Sequence, residues 1–394
     1  MSDKYGLPLS EYTLEKIVLP TNLRLALLMI IGLWLFYMQL NFLAKRLPHL
    51  NTLLYGATAH TQLHQRSLPV HSSSNEPKPN HVLLHHFSHM NKKLTKIFAG
   101  ACFLNCVLTT VVWLFISPSS KNPADEKIEA PKLQSEDQDY YSNFFLISLA
   151  VVTTIHICKT IYDNSSFSMQ HVIKRTLAGA QIESHNMNRL LFILFSDTLT
   201  SYSKPVTQFC QINMPFLQPS LVSCIGLLPA SIRFVQCIRE ENYWNCFKYS
   251  LNFPIFYCNI HQEDGQFENL KFYLLCFQSF YTFWWDCTMD WGLNFMNIKH
   301  SKKLFYKWGY YKNMQNILRE HYIFPEFYYL IIVIIDLVLR FMWLNPFLSQ
   351  ISNYFPVFVL PGFLQHFLEI WRRWLWIGLR LEYEHGFIKT EVPA

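Results

Sequence analysis

Charged side chains recur in this chain inside stretches of Leu, Ile, Phe and Trp long enough to cross a bilayer, and that limits its fold most. Asp197, Arg233, Lys248, the pair Asp286 and Asp290, the pair Asp336 and Arg340, and Glu369 with Arg372 and Arg373 all sit this way. A charge at membrane depth costs at least about 2.5 kcal/mol on the mildest scale, so it is normally paired, turned inward, or in use. Only 15% of residues are charged, while 51% are hydrophobic and 16% aromatic. Soluble domains carry about 25% charged residues. The composition therefore predicts an all-α polytopic transmembrane helical bundle, not two or three soluble domains.

Apolar runs predict spans near 23–44, 96–117, 143–162, 188–204, 213–236, 246–260, 267–291, 324–347 and 355–381, a bundle of about 8–10 spans. The first run is too long for the apolar region of a cleaved signal peptide. Basic loops at 44–96 and 298–323 read as cytosolic. The acidic loop at 118–142, and the loop holding Glu263, Asp264 and Glu268, read as the opposite side. Counting forward from 298–323 puts the C-terminus in the cytosol. The net charge of +6 is accounted for by these flanks, and no nucleic-acid-binding pattern is visible. Seven of the ten cysteines lie in apolar spans as small hydrophobes, and no C-x-x-C pair occurs. His60, His64, His71, His81, His85, His86 and His89 crowd a polar tract without Cys or acid partners, so the tract reads as a solvated loop and no metal or cofactor is expected.

The charges fall into motifs. Asp286 and Asp290, four residues apart among Trp284, Trp285 and Trp291, share a helix face and need cations or a proton between them. Asp336 and Arg340 repeat that spacing, so Asp336 reads as a counter-ion and Arg340 keeps donors for an anion. Glu369, Arg373, Trp376 and Arg380 form a continuous helical stripe with Arg372 beside it. Adjacent guanidiniums suit an oxyanion held in bidentate fashion. Asp197 sits among the hydroxyls of Thr200, Ser201 and Ser203. Counting Arg233, Lys248, Arg340, Arg372 and Arg373, cations are expected to outnumber their counter-ions slightly, which fits a path for an oxyanion. Asp290, Asp336 and Arg380 read as structural charge partners.

Together these motifs resemble the EXS domain family. The matching pieces are Arg233-Phe234-Val235-Gln236-Cys237, Lys248-Tyr249-Ser250, Trp285-Asp286 with Met289-Asp290-Trp291-Gly292, Asp336 with Leu339-Arg340-Phe341 and Trp343, and Glu369 with Arg372-Arg373 and Trp376, then Arg380-Leu381-Glu382 and Glu384-His385. They place an EXS domain at 205–390. Before it come an N-terminal tail at 1–22 and membrane helices at 23–204 with the His-rich loop (45–95) and the acidic loop (118–142). After it comes a tail end at 391–394. With no room for an SPX domain, the chain resembles the SPX-lacking fungal ER-retention-defective proteins of the Golgi.

The resemblance implies a non-enzymatic inorganic phosphate transporter that returns phosphate from Golgi lumen to cytosol. It also implies support of glycosylation and of the retention of ER and Golgi residents. The implied phosphate path is Asp197, Thr200, Ser203, Arg233, Lys248, Tyr249, Asp286, Arg340, Trp343, Glu369, Arg372, Arg373 and Trp376. In it the arginines hold the oxyanion, Asp286 and Glu369 orient them, and Trp343 and Trp376 form a constriction. Inorganic phosphate and the lipid bilayer are the expected partners. Cytosolic sorting adaptors, glycosyltransferases and a second copy of the chain are the protein partners this leaves open. The alternative is a non-conducting sorting scaffold for recycling glycosyltransferases. A membrane transferase using the Asp pair and His lacks any recognisable nucleophile or metal motif.

Overall fold

The computed structural model describes residues 21–47, 50–55, 79–116, 133–180, 189–261, 267–293, 323–344 and 362–391. Among them there is no strand. The helices are α1 (Arg24–Ala44), α2 (Leu50–Tyr55), α3 (Pro79–Ile116), α4 (Leu133–Asp163), α5 (Phe167–Leu177), α6 (Arg189–Ser201), α7 (Ser203–Asn213), α8 (Pro219–Arg239), α9 (Tyr243–Ser250), α10 (Asn252–Ile260), α11 (Glu268–Trp285), α12 (Glu326–Arg340) and α13 (Gly362–Glu391). Five stretches are long and apolar enough to cross a membrane: Thr21–Ala44, Asn80–Val111, Phe144–Asp163, Pro219–Arg239 and Glu326–Leu344. The protein is a multi-pass helical membrane bundle.

The remaining expected spans carry the breaks and most of the charges. The run at 188–204 divides at Tyr202 into α6 and α7, and the run at 246–260 divides at Leu251 into α9 and α10. Both breaks lie three residues before a proline, Pro205 and Pro254. Each proline lacks the N–H that would have bonded the carbonyl four residues back, at Ser201 and at Ser250. The polar hydroxyl segment and the Lys248 segment therefore sit at interrupted backbone, which membrane proteins tolerate where it is buried in protein or lines a cavity.

Two expected loops are partly helical. α3 begins at Pro79, so His81, His85, His86 and His89 ride on a helix, not in the loop at 45–95. Leu83, Met90 and Leu94 are buried on one side of this segment while His81, His85 and His89 are exposed on the other. That amphipathic spacing explains the helix, and the abundance of histidine obscured it. α4 begins at Leu133, inside the expected acidic loop. His60, His64 and His71 and the basic loop at 298–322 lie outside the described residues.

α13 is the central strut and packs against α1, α6 and α12. Its Trp374, Trp376, Ile377 and Leu379 join Leu40 and Leu43 of α1 in the main apolar core. Two tight backbone devices aim the charged segments at this strut. Between α8 and α9, the Asn242 N–H bonds the Cys237 carbonyl at 3.0 Å and the Glu241 N–H bonds the Ile238 carbonyl at 3.1 Å. This is a Schellman turn, with Glu241 in the left-handed position at φ 56°. It folds α9 back along α8, so Lys248 and Tyr249 reach the level of Arg233. After α11, residues Asp286–Asp290 form a π-turn, in which Trp291 N–H bonds the Asp286 carbonyl at 2.9 Å. Gly292 closes it at φ 64°, and a Cβ there would overlap the Tyr383 ring.

These two positive-φ residues should respond in opposite ways. Gly292→Ala adds strain and a clash, and is expected to lower stability by about 1–3 kcal/mol. Glu241→Gly removes the Cβ penalty of about 1 kcal/mol and is expected to hold or raise stability. Thermal unfolding of the detergent-purified chain measures both.

Candidate anion site

The charged residues form one connected network. Asp197 on α6 meets Arg233 of α8 at 2.7 Å, and its Oδ1 also accepts from the Tyr249 hydroxyl at 2.7 Å. Arg233 donates to Gln236 at 3.0 Å and lies over the Tyr249 ring, 5.3 Å from its centroid. Asp286 is the hub. It is fully buried and receives Lys248 at 3.0 Å, Arg340 in a short ion pair, and Arg372 at 3.9 Å. Asp336 bridges the two arginines, taking Arg340 Nε at 2.7 Å and Arg372 Nη1 at 3.0 Å.

On α13, Glu369 holds Arg372 through two bonds of 2.6 and 3.0 Å. Ser201 joins this pair to the neighbouring arginine: its hydroxyl donates to Glu369 at 3.2 Å and accepts from Arg373 Nε at 3.1 Å. Arg373 also donates to Thr200 at 3.3 Å and stacks on Trp376, 5.0 Å from the ring centroid. Among the described residues it has no carboxylate partner. Asp290, at the end of the π-turn, takes the Trp376 indole N–H at 3.1 Å, Lys248 at 3.7 Å and Arg380 at 3.3 Å. Because Lys248 reaches both Asp286 and Asp290, the two carboxylates do share a side, held there by a π-turn where an α-helix was expected. Arg380 further binds the Met289 and Asp290 carbonyls, and so anchors the end of that turn to α13.

This network abuts a cavity of 690 Å³ lined by parts of α6 to α13. Of the expected path residues, Thr200, Ser203, Lys248, Tyr249, Arg340, Trp343, Glu369, Arg372 and Arg373 line it. Asp197, Arg233, Asp286 and Trp376 do not; they are at most 3% exposed and stand behind the wall. Arg233 is thus placed as a buried partner of Asp197 and not at the cavity surface. Trp376, expected at a constriction, is buried against the π-turn, whereas Trp343 faces the cavity and donates to Ser279 at 2.9 Å. Asp290, Asp336 and Arg380 also lie off the wall.

The expected surplus of cations is corrected in an informative way. Arg233, Lys248, Arg340, Arg372, Arg373 and Arg380 are matched in number by six acids, Asp197, Asp286, Asp290, Asp336, Glu369 and Glu384. The asymmetry is in position. The cavity wall presents Lys204, Lys248, Arg340, Arg372 and Arg373 but one carboxylate, Glu369. A low-dielectric cleft lined by one sign of charge concentrates the opposite ion.

Residues 19–386 match the EXS family. The chain belongs to the EXS family. The match begins upstream of residue 205 and takes in the helices at 23–204. This EXS chain is 28% identical to Protein ERD1 of Kluyveromyces lactis over 273 residues, 61% of this chain and 70% of that protein. It is 28% identical to Protein ERD1 of Saccharomyces cerevisiae over 220 residues, 50% of this chain and 56% of the other. It is also 29% identical to mouse (Mus musculus) solute carrier family 53 member 1 over 191 residues, 42% of this chain but 24% of that protein.

The path expected from sequence left out several wall residues of this EXS site. Ser201 lies four residues after Asp197, and Ser279 seven before Asp286, so helical spacing alone would have put both on the charged faces. Lys204 at the start of α7 and His366, three residues before Glu369, also line the cavity. Gln278 donates to Asn252 at 3.0 Å across the wall; Asn252 follows Lys248 by four residues, whereas Gln278 has no charged motif within a helical turn.

The Asp197–Arg233 pair gives a test of the supporting network. Asp197→Asn leaves a buried guanidinium without its carboxylate and is expected to cost about 3–5 kcal/mol. Adding Arg233→Met to that variant should recover part of the loss, as measured by thermal unfolding in detergent.

Proposed function

We propose that this chain carries inorganic phosphate across the Golgi membrane, from lumen to cytosol, and thereby supports glycosylation and the retention of ER and Golgi residents. The observation that carries this reading is the cavity wall of five cations and one carboxylate, set against carboxylates buried behind it. Arg372 uses three of its five N–H groups on Glu369 and Asp336, and Arg373 uses two on Ser201 and Thr200. Among the described residues no hydrogen bond takes up the rest, and since Arg372 Nη1 also lies 3.9 Å from Asp286, Arg373 has the larger share to offer a ligand. Planar guanidinium forks suit a tetrahedral oxyanion better than a halide.

The buried acids also serve transport. They hold Arg340 and Arg372 in place, and they temper the positive field so that the anion can leave, as conduction requires. Membership in the EXS family and the identity to a solute carrier support the same reading. The sign of the loop charges supports a cytosolic C-terminus. A chain serving only as a sorting scaffold would have no use for cavity-facing arginines.

The test is flux of labelled phosphate in liposomes holding the purified chain. Arg340→Ala and Arg372→Ala should each abolish it. Arg373→Ala is the cleaner variant, because it strands no carboxylate. Losing charge-assisted bonds of about 1.5–3 kcal/mol should lower flux at least about tenfold with the fold intact. Wild-type chain that sorts normally in cells yet shows no flux would favour the scaffold.

A further inference from the structure

A wall made only of N–H donors would hold any tetrahedral dianion. Phosphate at neutral pH differs from sulfate in one respect that such a wall ignores: it carries at least one P–OH proton, and sulfate carries none. Discrimination needs an acceptor at the wall, and Glu369 is the single carboxylate among the residues lining the cavity. An ionised carboxylate offers about four acceptor positions. Oε1 uses two, for Arg372 Nη2 at 2.6 Å and the Ser201 hydroxyl at 3.2 Å. Oε2 uses one, for Arg372 Nε at 3.0 Å. One position on Oε2 is left, on a side chain that is 35% exposed. Arg372 and Ser201 hold the carboxylate from two elements, which restrains it from swinging aside for an unsuitable ligand.

We infer that Glu369 selects for a protonated oxyanion: its remaining lone pair on Oε2 accepts the ligand's P–OH, while the flanking arginines bind the unprotonated oxygens. This deepens, and rests on, the phosphate reading of the cavity. An oxyanion without a proton brings one of its oxygens against Oε2, and two acceptors meet with no hydrogen between them. Buried sites built around a ligand hydroxyl reject analogues lacking it far more strongly than apolar pockets reject a missing methylene. Phosphate and arsenate belong to the accepted class. Sulfate and monofluorophosphate, both unprotonated at neutral pH, belong to the rejected one.

The experiment measures uptake of these four anions at pH 7 into liposomes holding the full chain, wild type and Glu369→Gln. Wild type should carry phosphate and arsenate, and should disfavour sulfate and monofluorophosphate by at least about a hundredfold. Glu369→Gln keeps the shape but offers an N–H, so its phosphate-to-sulfate preference should shrink to within about tenfold. Wild type that carries phosphate and sulfate alike overturns the inference, as does a Glu369→Gln chain that carries phosphate and still rejects sulfate. Should Glu369→Gln fail to fold, monofluorophosphate decides on wild type alone, and its uptake at the phosphate rate overturns the inference. Wild type without phosphate flux contradicts the phosphate reading itself, and this inference falls with it.

Discussion

Everything in this structure depends on Asp286, a carboxylate with no exposed surface that three cations from three other helices must neutralise. Alone, a charge at that depth would be too costly to keep. With Lys248, Arg340 and Arg372 converging on it, the cost is shared, and the geometry of α9, α12 and α13 is set by the need to reach one point. Asp336 then ties two of the same arginines together from behind. Lys248, Arg340 and Arg372 each face a buried acid on one side and the cavity on the other. An electrically balanced network thereby presents an unbalanced surface.

That arrangement requires helices that are not regular. The backbone breaks at Tyr202 and Leu251 bring hydroxyls and Lys248 to the wall at points where a straight span would carry them past. The π-turn keeps Asp286 and Asp290 on the same side, within reach of one lysine, and π-turns of this kind are often found at functional sites. Arg380 and the Trp376 indole fasten the far end of the turn to α13. The irregularities are thus part of the site's construction, and proline, glycine and a non-glycine residue at positive φ mark where they fall.

Much of this was legible in the sequence. The helical class followed from composition and run length, and the charged residues stood out because the surrounding Leu, Ile and Trp made them expensive. Their partners were not legible. Asp197 with Arg233, and Lys248 with Asp286, are joined across helices, and helical spacing relates residues within a single helix only. For the same reason the charge surplus was misjudged: counting along the chain cannot separate an arginine facing a cavity from one facing an aspartate behind it. The helix at Pro79 was hidden because four histidines masked the apolar spacing of Leu83, Met90 and Leu94. Ser201 was noted among the hydroxyls near Asp197 but left off the path, because a hydroxyl costs little in a membrane helix and nothing in the sequence marks it as the link between Glu369 and Arg373.

The central claim is that the cavity is an anion site, despite a network of equal numbers of acids and bases. Equilibrium binding to the purified chain tests it most directly, with labelled phosphate and labelled rubidium measured side by side. The account predicts saturable phosphate binding and no saturable rubidium binding. Saturable rubidium binding, or folded protein that does not bind phosphate, would mean that the buried carboxylates govern the cavity, and would contradict it.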